Sequence, residues 1–284
     1  MRRSSPVPAA TPADVADLAA RARAVRAATV RMAHLGRTAH VASALSCVDV
    51  LVALYFRVLR AEPPGPTGPS DDRFVLSKGH GCMAWYATLA ERGYFPKELL
   101  DGYSTDGSPL AEHPPPRGVP GIEVATGSLG HGLSIAAGAA LARRMDGRAG
   151  RLFCLLSDGE CNEGSVWEAA MWAAGRRLDH LVAIVDYNKL QAMGRSEEVT
   201  ALAPLAEKWR AFGWATREVD GHDLGALVEV LEAAPLTPDR PTAIVAHTVK
   251  GKGVSFMEDD LEWHYRPPSA EDLARALREL EADA

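Results

Sequence analysis

The sequence predicts an α/β fold in which a parallel sheet is flanked by helices on both faces. Three observations lead there. From residue 151 onward short, continuously apolar runs alternate with helical patterns, and strands of that kind belong to sheets covered on both sides. The run "RLFCLL" ends abruptly in Ser157, Asp158 and Gly159, as a buried strand entering a tight turn does. A chain of 284 residues with 47% hydrophobic content can bury one large core.

The elements follow in order. Residues 1–12 hold two arginines but no apolar stretch after them, so they read as a disordered leader and not a signal peptide. Residues 13–34 and 46–60 carry apolar side chains at helical spacing, and "EPPGPTGPS" ends that pattern. "RFVL" is a strand, followed by a helix with Met83, Ala84, Tyr86, Ala87 and Leu89 on its apolar face. A Pro- and Gly-dense stretch from Ser104 to Thr126 holds His113, and irregular stretches of that length in a compact domain carry function or lack order. A Gly- and Ala-rich helix follows from Gly127. Then come strands at 151–156, 180–187, 214–219 and 241–249, separated by helices at 162–178, 205–213 and 224–234. The last element is an amphipathic helix over 269–281, and 13–284 reads as one domain without internal repeats.

Charge and cysteine usage exclude several classes. A net charge of −6 with no basic stripe argues against nucleic acid or an anionic membrane as partner, and no apolar run reaches transmembrane length. Cys47, Cys82, Cys154 and Cys161 form no C-x-x-C pair, so buried free thiols and a cytoplasmic location are expected.

Ligands of open α/β sheets bind beyond the carboxyl ends of the strands, at a switch point in strand order. One strand runs into Asp158 and the next into Asn188, thirty positions later (188 − 158), about one βαβ unit. A carboxylate and an amide oxygen side by side are hard donors that suit Mg²⁺, which keeps much of its octahedron for phosphate oxygens and water. Gly159 lets the backbone turn, and the following helix start, with Glu160, Asn162 and Glu163, would point N–H groups at the anion. Asp-Gly after a strand is commonly a turn with the Asp as helix cap. Here it comes with an Asn at the end of the next strand.

That pair resembles the thiamin diphosphate motif, with Ser157 in place of its first Gly and Tyr187 before Asn188. The resemblance then extends over nearly the whole chain. "SALSCVDVLVALYF", "RFVLSKGHG", "EHP", "EVATGSLGHGLS", "SDGECNEGSVWEA", "VDYNKLQ" and "TVKGKGVSFMEDDLEWH" occur in the order of transketolase segments. The chain resembles the N-terminal, thiamin diphosphate-binding part of transketolase, and the separate N-terminal subunit of two-chain transketolases in particular. The resemblance makes Asp158, Asn188 and the Leu190 carbonyl the ligands of Mg²⁺, or of Ca²⁺ or Mn²⁺ in its place. Gly127, Ser128, Leu129, Gly159, Glu160 and His80 would face thiamin diphosphate.

By the same resemblance His40, His80, His113 and His264 take the places of the active-site histidines, where an imidazole can donate to a substrate hydroxyl or protonate an alkoxide near neutral pH. His131 lies near the cofactor turn, while His34, His180, His222 and His247 read as ordinary structural residues. Ala39, Val41, Ala42 and Ser43 stand where the family has glycine or proline, so crowding around His40 and an uncommon ketose substrate are expected. Glu168 matches a glutamate at the family's contact between paired chains, and Trp167 and Trp172 read as core or interface.

The implied reaction moves a two-carbon ketol unit from a ketose, sugar or sugar phosphate, to an aldehyde. The family holds the cofactor's pyrimidine in a separate domain, and no such domain is read here. The resemblance therefore implies a C-terminal partner subunit carrying the pyrimidine-binding domain, together with self-association into a heterotetramer. Three alternatives stay open: the α subunit of a 2-oxoacid dehydrogenase, a dinucleotide binder lacking G-x-G-x-x-G, and a non-catalytic partner.

Overall fold

The computed structural model describes residues 10–68 and 70–282. Most of the expected leader lies outside those residues. Its last two positions instead begin a helix: α1 (Pro12–Gly36) has Pro12 at its first position, and the Thr11 hydroxyl accepts from the Asp14 amide while Asp14 accepts from the Thr11 amide. That reciprocal cap satisfies two donors a helix start otherwise leaves open.

The helix expected over 46–60 is several short pieces. α2 (Val41–Ser46) and α3 (Val48–Ala53) are broken at Cys47, and a π-turn follows over Leu54–Val58. All side chains from Val41 to Tyr55 are buried, so the segment is apolar on every side and its period marks no break. β1 (Arg73–Leu76) leads through a 3₁₀ turn into α4 (Cys82–Arg92). The stretch from Ser104 to Thr126 forms no helix or strand. α5 (Gly132–Met145) starts later than expected, because Gly127 and Gly130 adopt φ of +146° and +87° and shape a turn first.

β2 (Leu152–Ser157) enters a 3₁₀ turn over Gly159–Asn162 and then α6 (Gly164–Gly175). β3 (Leu181–Tyr187) is followed by the short α7 (Ser196–Val199), unforeseen from the sequence, and by α8 (Leu205–Ala211). β4 (Ala215–Asp220), α9 (Leu224–Glu232), β5 (Thr242–His247) and α10 (Ala270–Ala282) complete the order. Among the described residues no helix is long and apolar enough to cross a membrane.

The five strands form one parallel sheet in the order β1-β2-β3-β5-β4. Alternate side chains enter two cores. Phe153, Leu155, Val182 and Ile184 pack on the side of α1–α4, α9 and α10, and Cys154, Leu156, Ala183 and Val185 pack against α5, α6 and α8. All four cysteines are free and buried. β1 leads to α4 on one face while its neighbour β2 leads to α6 on the other, which opens a crevice at their carboxyl ends.

Candidate active site

Four strands deliver residues to that crevice: His80 follows β1, Asp158 follows β2, Asn188 follows β3 and Lys250 follows β5. A cleft of about 540 Å³ is lined there by His40, His80, His113, Asp158, Asn188 and His264 among others. The His40 ring centre lies 5.5 Å from that of His80, 6.3 Å from His113 and 5.0 Å from His264. Residues up to 224 positions apart in the chain (264 − 40) thus share one cluster.

His40 is aimed by its backbone. It precedes α2 with φ +71°, a left-handed conformation that costs a non-glycine residue about 1–2 kcal/mol, and its N–H is held by the His264 carbonyl at 2.8 Å. Of the residues expected to crowd this segment, Ala39 is half-buried just before the turn that His40 makes, Val41, Ala42 and Ser43 are buried in α2, and Ser43 also lines the cleft. The cofactor-side turn fits just as closely. A Cβ on Gly127 would come 2.8 Å from His113 Cδ2, and one on Gly79 would come 2.8 Å from the Gly127 nitrogen.

The imidazoles of His40, His264 and His80 are held neutral. Burial, then the neighbouring His113, lowers His40 to about 4; burial, then Lys250, lowers His264 to about 3; burial and Lys78 keep His80 well below the ordinary value. Each ring therefore offers one donor and one acceptor at neutral pH. Lys250 Nζ lies 2.8 Å from His264 Nδ1, so Nδ1 accepts and the His264 proton belongs on Nε2. Burial and the nearby Lys78 lower Lys250 to about 8. His40 Nδ1 and Gln191 Nε2, both of cleft-lining residues, are buried without a partner among the described residues.

At the strand ends the donors are oxygens. Asp158 is buried and accepts from the Gly159 amide, the Lys189 amide and the Ser196 hydroxyl, each at 2.8 Å. Burial, with Asp186 adding like charge, pushes its carboxyl above the ordinary range. Asn188 Oδ1 accepts from the Leu190 amide at 3.1 Å, so consecutive backbone amides tie the two side chains together. The Leu190 carbonyl accepts from Lys250 Nζ at 3.2 Å and thus already faces a cation. Among the described residues no three His, Cys, Asp or Glu side chains converge as a metal cage. The set here is one carboxylate, one amide and one carbonyl.

Other expected positions fall elsewhere. Glu160 is buried outside the cleft lining, its carboxylate accepting from the Ser77 hydroxyl, the Gly130 amide and the Ser157 amide, so it anchors the turn. The Gly159 and Glu160 amides bond Asp158 Oδ1 and Ser157 Oγ, because the 3₁₀ turn separates the strand end from α6. Ser128 and His131 are exposed and outside the cleft lining, which Gly127, Leu129 and Gly159 do join. Glu168 is exposed on α6 near Met171 and Trp172, whereas Trp167 packs on Trp209 and Phe212.

His34 and His180 bond the Pro268 and Ala140 carbonyls, and His247 pairs with Glu218. His222 is bonded on both nitrogens, by Asp49 at 2.7 Å and the Val249 amide at 2.8 Å, and so braces the loop that carries Lys250. Sequence reasoning passed over Lys250 and the fully buried Lys78–Asp186 pair. The "KGKG" run and the lysine of "SKGHG" were the available signals.

Residues 17–283 match the family described as the transketolase thiamine diphosphate binding domain. The chain is 47% identical, over 86% of its length and 89% of the relative's, to the 6-deoxy-6-sulfo-D-fructose transketolase subunit SqwG of Clostridium sp. (strain MSTE9). It is 42% identical, over 88% and 89%, to an apulose-4-phosphate transketolase subunit of Phocaeicola vulgatus. Its fold is similar to that of transketolase from Leishmania mexicana, with TM-score 0.85 and 27% identity over 93% of this chain and 41% of that one. The chain thus spans about two-fifths of that solved transketolase.

Proposed function

This chain belongs to the transketolase family, whose thiamine diphosphate-binding domain it matches, and from that premise we propose that it is the diphosphate-holding subunit of a two-chain transketolase. Residues 13–284 serve as that single domain. The observation that carries the reading is the placement of Asp158 and Asn188 on adjacent strand ends in a cleft shared with a cluster of four imidazoles.

The donor set fits Mg²⁺ and a diphosphate: one carboxylate, one amide oxygen and the Leu190 carbonyl, which already receives an ammonium. When bound, thiamin diphosphate supplies the carbon nucleophile that takes up the two-carbon unit. The chain's own residues do the rest. Gly127 leaves room for His113 to pack against the cofactor-side turn, and Lys250 adds positive charge and fixes the His264 tautomer. His40, His80, His113 and His264 bind substrate hydroxyls and move protons at the oxygens that change charge.

The relatives are named for a sulfonated and a phosphorylated sugar. We take the donor here to be a ketose with a terminal anion and the acceptor an aldehyde. Both relatives are named subunits, which supports a second chain that carries the pyrimidine-binding domain. The exposed face of α5 and α6, with Ile135, Met145, Glu168, Met171 and Trp172, suits contact between paired chains in a two-plus-two assembly. The four buried free thiols support a cytoplasmic location. Ketol transfer by the two chains together, assayed with a sulfonated, a phosphorylated and a neutral ketose and with a 2-oxoacid, tests the reading. Preference for the 2-oxoacid would place the chain with the 2-oxoacid dehydrogenases instead.

A further inference from the structure

Beneath Asn188 runs a chain of hydrogen bonds whose direction is fixed from one end. Lys78 and Asp186 are both fully buried, and Lys78 Nζ donates to the Asp186 carboxylate and, at 2.8 Å, to the Ser43 carbonyl. The Thr248 hydroxyl donates to the same carboxylate, so an ammonium and a hydroxyl both present donors to Asp186. Asp186 is therefore an acceptor only.

Ser46 Oγ lies 2.6 Å from Asp186 Oδ2 and 3.0 Å from the Ser43 carbonyl. A hydroxyl has one proton, and the shorter contact to the charged acceptor takes it. The Ser46 oxygen can then only accept from Asn188, whose Nδ2 lies 3.3 Å away. On its other side Asn188 meets the Leu190 N–H at 3.1 Å, which requires an oxygen there. Two constraints thus give the same amide orientation. A flipped amide would set oxygen against oxygen at Ser46 and donor against donor at Leu190.

We propose that Ser46, anchored on the Lys78–Asp186 pair, is a positioning residue that holds the Asn188 amide oxygen in place to bind the divalent cation. The proposal rests on the metal reading given above. Removing the Ser46 hydroxyl leaves the Asn188 NH₂ buried without its acceptor and deletes one of the two constraints. Outer partners of metal ligands change metal affinity by about 10- to 100-fold.

The test is a double-mutant cycle on the assembled two-chain complex with thiamin diphosphate present, with free Mn²⁺ followed by electron paramagnetic resonance. Ser46→Ala weakens Mn²⁺ binding about 10-fold or more in the parent. In an Asn188→Ala background the same change has less than about a twofold effect, because the amide it orients is gone. Ser46→Cys, close in size, supplies the same comparison if Ser46→Ala fails to assemble. Equal weakening in both backgrounds would show that Ser46 merely supports α2, and unchanged affinity in the first would show no role; either overturns the proposal. Unchanged Mn²⁺ affinity in Asn188→Ala alone would overturn the metal reading, and the proposal with it.

Discussion

Replacing Asp158 with Asn separates stability from function, because the side chain keeps its shape and loses only its charge. The carboxylate is 2% exposed and accepts three hydrogen bonds. An Asn placed with its oxygen at the Oδ2 position still accepts from the Lys189 amide and the Ser196 hydroxyl, while its NH₂ confronts the Gly159 N–H. One unsatisfied buried donor costs about 1–3 kcal/mol. Against that, the substitution removes a buried charge whose burial and like-charged neighbour Asp186 already disfavour it. The two effects oppose each other, so the variant should unfold within about 2 kcal/mol of the parent, or about 4–8 °C for a chain of this size. Cation-dependent cofactor binding has no such offset, since the only charged donor of the set is lost. We expect thiamin diphosphate affinity in the presence of Mg²⁺ to fall at least about 100-fold, or 2.7 kcal/mol. Thermal unfolding of the full chain and isothermal titration of the two-chain complex measure the two quantities. Undiminished affinity would refute the metal assignment, and loss of folding would make the carboxylate structural.

At His40, Gly relieves the left-handed backbone that Ala retains, so His40→Gly should be about 1 kcal/mol more stable than His40→Ala while both lose about 10²–10⁴-fold in turnover; urea unfolding and steady-state kinetics check the pair. His40 and His264 have folded pKa values depressed to about 4 and about 3. The unfolded chain therefore binds more protons below pH 6.5, and stability is lost as pH falls from 6.5 toward those values. His40→Ala should take up about one proton fewer on unfolding in that window, read from stability against pH; an unchanged slope would deny the neutral imidazole. Gly79→Ala puts its Cβ 2.8 Å from the Thr126 carbonyl carbon and the Gly127 nitrogen, which are backbone and cannot swing away. It should cost about 1–3 kcal/mol in denaturant unfolding and weaken cofactor binding in the same protein.

What could be read from the sequence divides along physical lines. β2 and β3 announced themselves because both faces of the sheet are covered, so their residues form unbroken apolar runs; the Asp158–Asn188 pair followed from where those runs end. The break at Cys47 gave no sign, since a segment buried on all sides has no polar stripe to fall out of phase. Glu160 was misdirected for another reason. Its position after the strand end is visible in sequence, but the 3₁₀ turn that rolls it under toward Ser77 and Gly130 is not. Lys250 and Ser46 act through partners 60 and 142 positions away, at Leu190 and Asn188, beyond any local pattern. The histidine cluster was legible only through family resemblance, because spacing alone does not bring residues 40, 80, 113 and 264 together.

Ketol transfer from an anionic-ended ketose to an aldehyde, measured for this chain alone and for this chain mixed with a second chain bearing the pyrimidine-binding domain, tests the central claim most directly. Mg²⁺ and thiamin diphosphate are present throughout. The chain alone should show no turnover, and the mixture should show cofactor-dependent turnover that Asp158→Asn in this chain abolishes. Robust turnover by this chain without a second polypeptide, or a mixture that stays inactive while binding cofactor tightly, would contradict that claim.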